Sequence, residues 1–296
     1  MTLKKYISKI EDLSDRRIAL TGATSGIGKA LFFHLLDKNA KVVILVRNSQ
    51  NLKKLLEEVK EKYPNSSFDM VHYDQSSFED IEKACDELVR NFPDLDAIVL
   101  NAGVLTKKGR TKEDYPLTIG VNYVGVRHFI DYISPKLTNH VRFVIQGSIV
   151  AGLSLKKPVD LYTVKGTFPQ YNISKIYMEA YFYKLVKENK YPNIEYVLTE
   201  PGISNTGITR HFNWFTKYNG RWFLALFFSR PKVCSLTLLT GISKLSKNGD
   251  WIHPRGAFTM AGYPRIDKFP NKRKREYLFA KEKDWAIQSL LPSIEV

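Results

Sequence analysis

IALTGATSGIGKALFFHLL, residues 18–36, decides how the chain is read. Ile18, Ala19 and Leu20 form a short apolar run that ends at Thr21-Gly22. A polar turn follows, closed by Gly26-Ile27-Gly28. Ile27, Leu31 and Leu35 then recur every fourth residue, the stripe of an amphipathic helix. The order is strand, glycine turn, helix. Such a turn lets backbone approach a ligand closely, and the helix that follows offers unpaired N–H groups and a partial positive charge. The stretch therefore suits a diphosphate, with Gly22, Thr24, Ser25, Gly26, Ile27 and Gly28 as its candidate contacts. The spacing is G-x3-G-x-G, which differs from the general dinucleotide fingerprint G-x-G-x-x-G.

Working outward, apolar runs and helical stripes alternate. Val42–Val46 reads as a strand, Asn51–Lys62 as a helix, Phe68–Tyr73 as a strand and Phe78–Arg90 as a helix. Ala97–Leu100 is a fourth strand, Asp114–Leu137 a long helical stretch with Pro116 in its first turn, and Val141–Ile145 a fifth strand. Gln170–Lys190 is a helix and Ile194–Leu198 a sixth strand. This alternation implies right-handed βαβ units. The expected fold is a single-domain α/β, doubly wound, Rossmann-like parallel sheet of about seven strands with helices on both faces. Residues 1–16 read as a polar lead-in to a domain spanning 17–296.

In such a sheet ligands bind beyond the carboxyl ends of the strands. Each of those ends carries a polar group or a glycine. Arg47 and Asn48 follow the second strand, Asp74 the third, Asn101-Ala102-Gly103 the fourth, Ser148 the fifth, and Pro201-Gly202 with Thr206 the sixth.

The 296 residues carry a net charge of +15. Lysines are spread along helical patterns, and the dense cluster is Lys272–Arg275 on an expected C-terminal helix over 272–291. A solvated basic face is favoured over a nucleic-acid site. Two cysteines, Cys85 and Cys234, form no CxxC, which suits a reducing, cytoplasmic setting. The N-terminus lacks a signal-peptide core, and no run approaches the ~18 apolar residues of a membrane span. The six histidines show no metal-ligand spacing, so no metal is expected.

Thr21-Gly22-x3-Gly26-x-Gly28, Asn101-Ala102-Gly103 and Tyr171-x3-Lys175, in that order, resemble the signature of the short-chain dehydrogenase/reductase family, compact type. The resemblance covers roughly residues 17–206 and implies a nicotinamide dinucleotide, held by the glycine turn, Arg47, Asp74, Asn101, Ala102, Gly103, Tyr171, Lys175, Pro201, Gly202 and Thr206. It also implies a catalytic set of Asn122, Ser148, Tyr171 and Lys175. Tyr171 would exchange a proton with the reacting oxygen, with Lys175 lowering its pKa from the free value of ~10. Ser148 would bond that oxygen, Asn122 would hold a water relay, and Lys175 would bond the nicotinamide ribose. Asn101 reads as structural, tying neighbouring strands under the cofactor. Asp74 reads as an adenine-pocket residue or a turn aspartate.

An acidic residue after the second strand would favour NAD(H). Val46 stands there and Arg47 follows, which favours NADP(H), with NAD(H) remaining possible. The segment Leu153–Phe168 and the run Gly120–Gly125 resemble retinol-dehydrogenase-like and protochlorophyllide-reductase-like members. Residues 207–250 fall in the substrate-loop position. Their aromatics, Phe212 to Phe228, suit a bulky apolar carbonyl or alcohol, pack a lid, or form a membrane-surface helix. The leading expectation is an NADPH-dependent carbonyl reductase, with a homodimer as the assembly the family resemblance allows; the alternatives are a catalytically silent dinucleotide sensor and a basic membrane-surface protein.

Overall fold

β-Branched and aliphatic runs build the sheet, and helices with one apolar face cover it. A computed structural model describes residues 2–47, 49–106, 108–152, 160–202, 229–256 and 259–270. Among them are α1 (Leu3–Ile7), β1 (Arg17–Thr21), α2 (Gly26–Leu36), β2 (Lys41–Val46), α3 (Gln50–Lys62), β3 (Phe68–His72), α4 (Phe78–Asn91) and β4 (Leu95–Leu100). They continue with α5 (Leu117–Ile119), α6 (Gly125–Ile133), β5 (Val141–Gln146), α7 (Thr167–Glu188), β6 (Ile194–Thr199), α8 (Pro231–Ile242), β7 (Asp250–Pro254) and β8 (Pro264–Lys268).

The strands form one sheet in the order β3-β2-β1-β4-β5-β6-β7-β8. The first seven run parallel; β8 returns antiparallel to β7, with Ile252 opposite Ile266. The sheet thus has eight strands where about seven were expected, because the polar strand β8 (Pro-Arg-Ile-Asp-Lys) carries little apolar signal. Chain order reverses between β1 and β4, which opens a crevice at their carboxyl ends.

Side chains alternate across the sheet. Ala19, Val43, Leu45, Ile98, Phe143 and Leu198 face the layer of α4, α6 and α7. Ile18, Leu20, Val42, Ile44, Val99 and Val144 face the layer of α2, α3 and α8. Cys85 and Cys234 are buried thiols, one in each layer.

Three expectations change. The lead-in is not merely polar: Tyr6, Ile10 and Leu13 are buried in the α2/α8 layer. Tyr6 Oη shares a hydrogen bond with Thr240 Oγ1 of α8 at 2.8 Å, and Leu13 N donates to Lys38 O at 2.9 Å. The long helix is also interrupted. It starts at Leu117, after Pro116, and widens into a π turn over Gly120–Val124 before α6 resumes. In addition, α8 occupies the later part of the 207–250 region, where Leu236, Leu238, Leu239 and Ile242 are fully buried, so that part is core structure rather than substrate loop.

Candidate active site

The glycine turn is fixed by close backbone packing. Gly22 and Gly26 take φ of +74° and +55°, where side chains are strained. A Cβ on Gly28 would lie 2.1 Å from Gly22 O, so the turn and the first coil of α2 touch backbone to backbone. Ser25 is the N-cap of α2 but makes no side-chain capping bond. The first N–H groups of α2 thereby stay available to an anion. Ile27 is buried, so its contribution here is limited to its main chain; Thr24 is half-buried and Ser25 exposed. These features fit a dinucleotide diphosphate.

Thr21 is the hub beneath this turn, a role the sequence reading missed. Its hydroxyl donates to Val99 O at 3.2 Å and accepts from Asn101 N and Ala102 N, each at 3.0 Å. Asn101 Nδ2 donates to Thr21 O at 3.0 Å. Asn101 thus joins β1 to β4, as expected of a structural asparagine. The signal available in sequence was a hydroxyl ending an otherwise apolar strand.

At the next strand ends, Asp74 Oδ1 accepts from Ser76 N at 2.9 Å and from Ser76 Oγ at 2.7 Å. Its Oδ2 lies 3.6 Å from Arg47 Nη1. Burial pushes the Asp74 carboxyl up, but the Ser76 bonds and the Arg47 charge outweigh it and hold the pKa below the ordinary value. Asp74 is a turn aspartate here, while Ser77 is the residue that caps α4.

Asn122 sits in the π turn and is buried. Its Oδ1 accepts from Val104 N at 2.7 Å and its Nδ2 donates to Val104 O at 2.9 Å. Nδ2 also lies 3.5 Å from Ser174 Oγ on α7. The side chain therefore braces the loop after Asn101-Ala102-Gly103, and a Cβ on Gly103 would stand 3.1 Å from Asn122 Oδ1. The wide turn frees the Val121 carbonyl, which accepts from the buried Gln75 amide.

Ser148 follows β5, and Tyr171 and Lys175 share one face of α7. The Ser148 hydroxyl stands beside the Tyr171 phenol, near enough to favour its ionised form. Lys175 Nζ donates to Gln146 O at 2.8 Å, two residues before Ser148, and lies 5.9 Å from the centre of the Tyr171 ring. The expected lowering of the Tyr171 pKa is not what this arrangement gives. Burial pushes the phenol up, and the neighbouring Ser148 hydroxyl acts the other way. Burial instead brings Lys175 down to about 8, opposed by the negative charge of Glu179. The ammonium is turned toward the Gln146 carbonyl, which weakens its hold on the phenol.

Pro201 and Gly202 lie beyond β6, where Glu200 N donates to Ile252 O at 2.7 Å. Thr206, Asn48, the aromatics before residue 229, residues 153–159 and the basic stretch 272–291 lie outside the described residues. Among the described residues there is no group of three or more His, Cys, Asp or Glu that could hold a metal ion, and no helix long and apolar enough to cross a membrane.

The family model for short chain dehydrogenases matches residues 16–215. The chain is 27% identical over 278 residues to a short-chain dehydrogenase/reductase of Phomopsis amygdali, covering 85% of this chain and 82% of that one. It is 28% identical over 204 residues to 11-beta-hydroxysteroid dehydrogenase A of Sesamum indicum, covering 68% and 56%. Its fold resembles a short chain dehydrogenase from Burkholderia cenocepacia in complex with NADP, with a TM-score of 0.61 at 18% identity, over 79% of this chain and 92% of that one. The chain belongs to the short-chain dehydrogenase/reductase family. It is an NAD(P)-dependent oxidoreductase whose partners are a nicotinamide dinucleotide and a small-molecule substrate.

Proposed function

We propose that this chain is an NADPH-dependent reductase of a bulky apolar carbonyl, with Tyr171 as the general acid. The observation that carries the reading is that Ser148 stands beside the Tyr171 phenol and opposes the rise that burial gives its pKa, with Lys175 one helical turn further along α7 and bonded to Gln146 O at the end of β5. Bound nicotinamide supplies the hydride. Ser148 holds the substrate oxygen, and Tyr171 donates its phenolic proton to that oxygen as negative charge develops there. A phenol that burial keeps protonated suits this direction. Lys175 binds the nicotinamide ribose and replaces the proton Tyr171 has given up, through the chain of groups braced by Asn122.

Gly22, Thr24, Ser25, Gly26, Ile27 and Gly28 hold the diphosphate, Asn101, Ala102 and Gly103 the adjoining ribose, Asp74 the adenine, and Pro201, Gly202 and Thr206 the nicotinamide side. NADP(H) is preferred because Arg47 stands exposed where a 2′-phosphate would lie, with no carboxylate at position 46. The apolar substrate class rests on the aromatic segment between residues 207 and 229, and the likeness to a hydroxysteroid dehydrogenase supports it.

The test is NADPH oxidation by the full chain across small, aromatic, steroid and retinoid carbonyls, for wild type and Tyr171→Phe. Turnover of a bulky apolar member that Tyr171→Phe abolishes, with NADPH still bound, supports the proposal. Turnover that survives in Tyr171→Phe overturns the role of the tyrosine. Inertness of the wild type toward every carbonyl overturns the reductase reading in favour of a dinucleotide sensor.

A further inference from the structure

Lys175 is buried, with 6% of its surface exposed, and a buried ammonium needs compensation. Among the described residues, the bond from its Nζ goes to Gln146 O, a neutral carbonyl. One turn further along the same face of α7 stands Glu179, fully buried at 0% exposure. A buried carboxyl is rare unless something nearby offsets its charge.

The Glu179 side chain runs back toward β5. A Cβ placed on Gly147 would lie 2.9 Å from Glu179 Oε1 and 3.5 Å from its Cγ. Gly147 stands between Gln146, which accepts the Lys175 bond, and Ser148, which adjoins the Tyr171 phenol. Glycine at 147 is thus what makes room for the carboxyl at the foot of the site.

We propose that Glu179 is a positioning residue for the reaction: its buried carboxylate, one turn beyond Lys175 and lodged against Gly147, keeps Lys175 protonated beneath Tyr171. The inference rests on the reductase reading above and adds a fifth group to it. Glu179 touches neither substrate nor cofactor; it acts through the lysine. Its charge opposes the effect of burial on Lys175, so without it the lysine would lose its proton at lower pH.

Other titratable groups around α7 are accounted for. Tyr123 of the π turn packs on Tyr177, and Tyr196 of β6 stacks on Phe143. On α6, Arg127 pairs with Asp131 at 3.3 Å and lies over Tyr181, further along the helix than Glu179. Glu200, just beyond β6, is the other fully buried carboxyl beside this end of the sheet and serves as the control.

The experiment follows the Lys175 Cε resonance of the full chain, grown with 13C-lysine and assigned by its loss in Lys175→Met, through a pH titration. The wild-type midpoint is expected near about 8. Glu179→Gln should move it down by about one to two pH units, the size of one charge pair one helical turn apart in a partly screened interior. Glu179→Asp should move it part of the way. The alkaline limb of NADPH-dependent turnover should shift in the same direction.

An unchanged or raised midpoint in Glu179→Gln overturns the proposal, as does a larger shift from Glu200→Gln. If Glu179→Gln fails to melt cooperatively, the uncharged Glu179→Met decides alone, and a wild-type midpoint in it overturns the proposal. The titration needs no turnover. Survival of activity in Tyr171→Phe would sink the reductase mechanism while leaving this measurement intact.

Discussion

Arg47 reaches across the ends of β2 and β3 toward Asp74, its Nη1 3.6 Å from the carboxylate Oδ2. The arginine side chain is 64% exposed and the contact is long, so the pair itself contributes little to stability. Its consequence is directional. On the proposed NADP(H) preference, the exposed guanidinium is free to turn from the carboxylate to a 2′-phosphate at small cost. Arg47→Ala should therefore weaken NADPH binding roughly 10- to 100-fold, the worth of a charge-assisted hydrogen bond, and leave NADH nearly unchanged. Cofactor fluorescence titrations with both nucleotides check this. Equal losses would remove Arg47 from the cofactor assignment.

Lys175 makes stability depend on pH in an unusual sense. In the unfolded chain a lysine keeps its proton to about 10.4. In the fold burial brings Lys175 down to about 8. Between these values the unfolded chain holds more protons, so stability rises as pH increases, while below about 8 the cost of burying the ammonium is fully present. Urea unfolding at pH 7 and pH 10 should show wild type gaining about 2–3 kcal/mol relative to Lys175→Met over that window. The comparison with Lys175→Met cancels the tyrosines that titrate in the same range. A gain that is the same in both proteins would mean that the lysine is ordinary.

Asn122 is a brace as much as a candidate relay residue. Both arms of its amide close on the main chain of Val104, at 2.7 and 2.9 Å, inside a buried π turn. Asn122→Ala removes two bonds and leaves the half-buried N–H and C=O of Val104 without those partners. The expected loss is about 2–4 kcal/mol of unfolding free energy, read by urea titration, together with a fall in turnover. Asn122→Asp keeps the acceptor for Val104 N and should recover part of the stability. If Asn122→Ala melts like wild type, the side chain is not holding this loop.

How much of this was legible in the sequence follows from how local each signal is. The strands from β1 to β6 announce themselves as apolar runs such as Val42–Val46, buried on both faces. The turn at Gly22 and Gly28 is legible because only glycine fits where a Cβ would meet backbone. What stayed hidden depends on partners far along the chain. The buried carboxyl of Glu179 reads as one more charge on a helix until β5 places Gly147 against it. The π turn at Asn122 keeps the helical stripe and differs by one inserted residue, which periodicity barely registers. The pKa of Tyr171 followed the pairing Tyr171-x3-Lys175 in sequence, whereas in space burial of the phenol and the Gln146 carbonyl bound to Lys175 decide it. β8 was invisible because an edge strand against a single neighbour needs few apolar residues.

The lead-in shows the same dependence on distant partners, and it can be tested directly. Tyr6, Ile10 and Leu13 are spaced by four and three among lysines and acids, which reads as solvated chain. Their partners come from the other end of the sequence: Thr240 on α8 for the Tyr6 hydroxyl, and the ring of Tyr263, stacked at 5.7 Å between centroids. Burial raises the Tyr6 pKa, so the phenol enters this contact neutral. Tyr6→Phe should cost about 1 kcal/mol for the lost bond, and Leu13→Ala, at a site with no exposure, about 2–5 kcal/mol. The two changes lie in one cluster, so the double variant should depart from additivity. Nucleotide affinity should stay near wild type in both, since this cluster fills the α2/α8 layer and not the crevice at the ends of β1 and β4. If Leu13→Ala unfolds at the wild-type denaturant midpoint, residues 1–16 are dispensable to the domain that begins at β1.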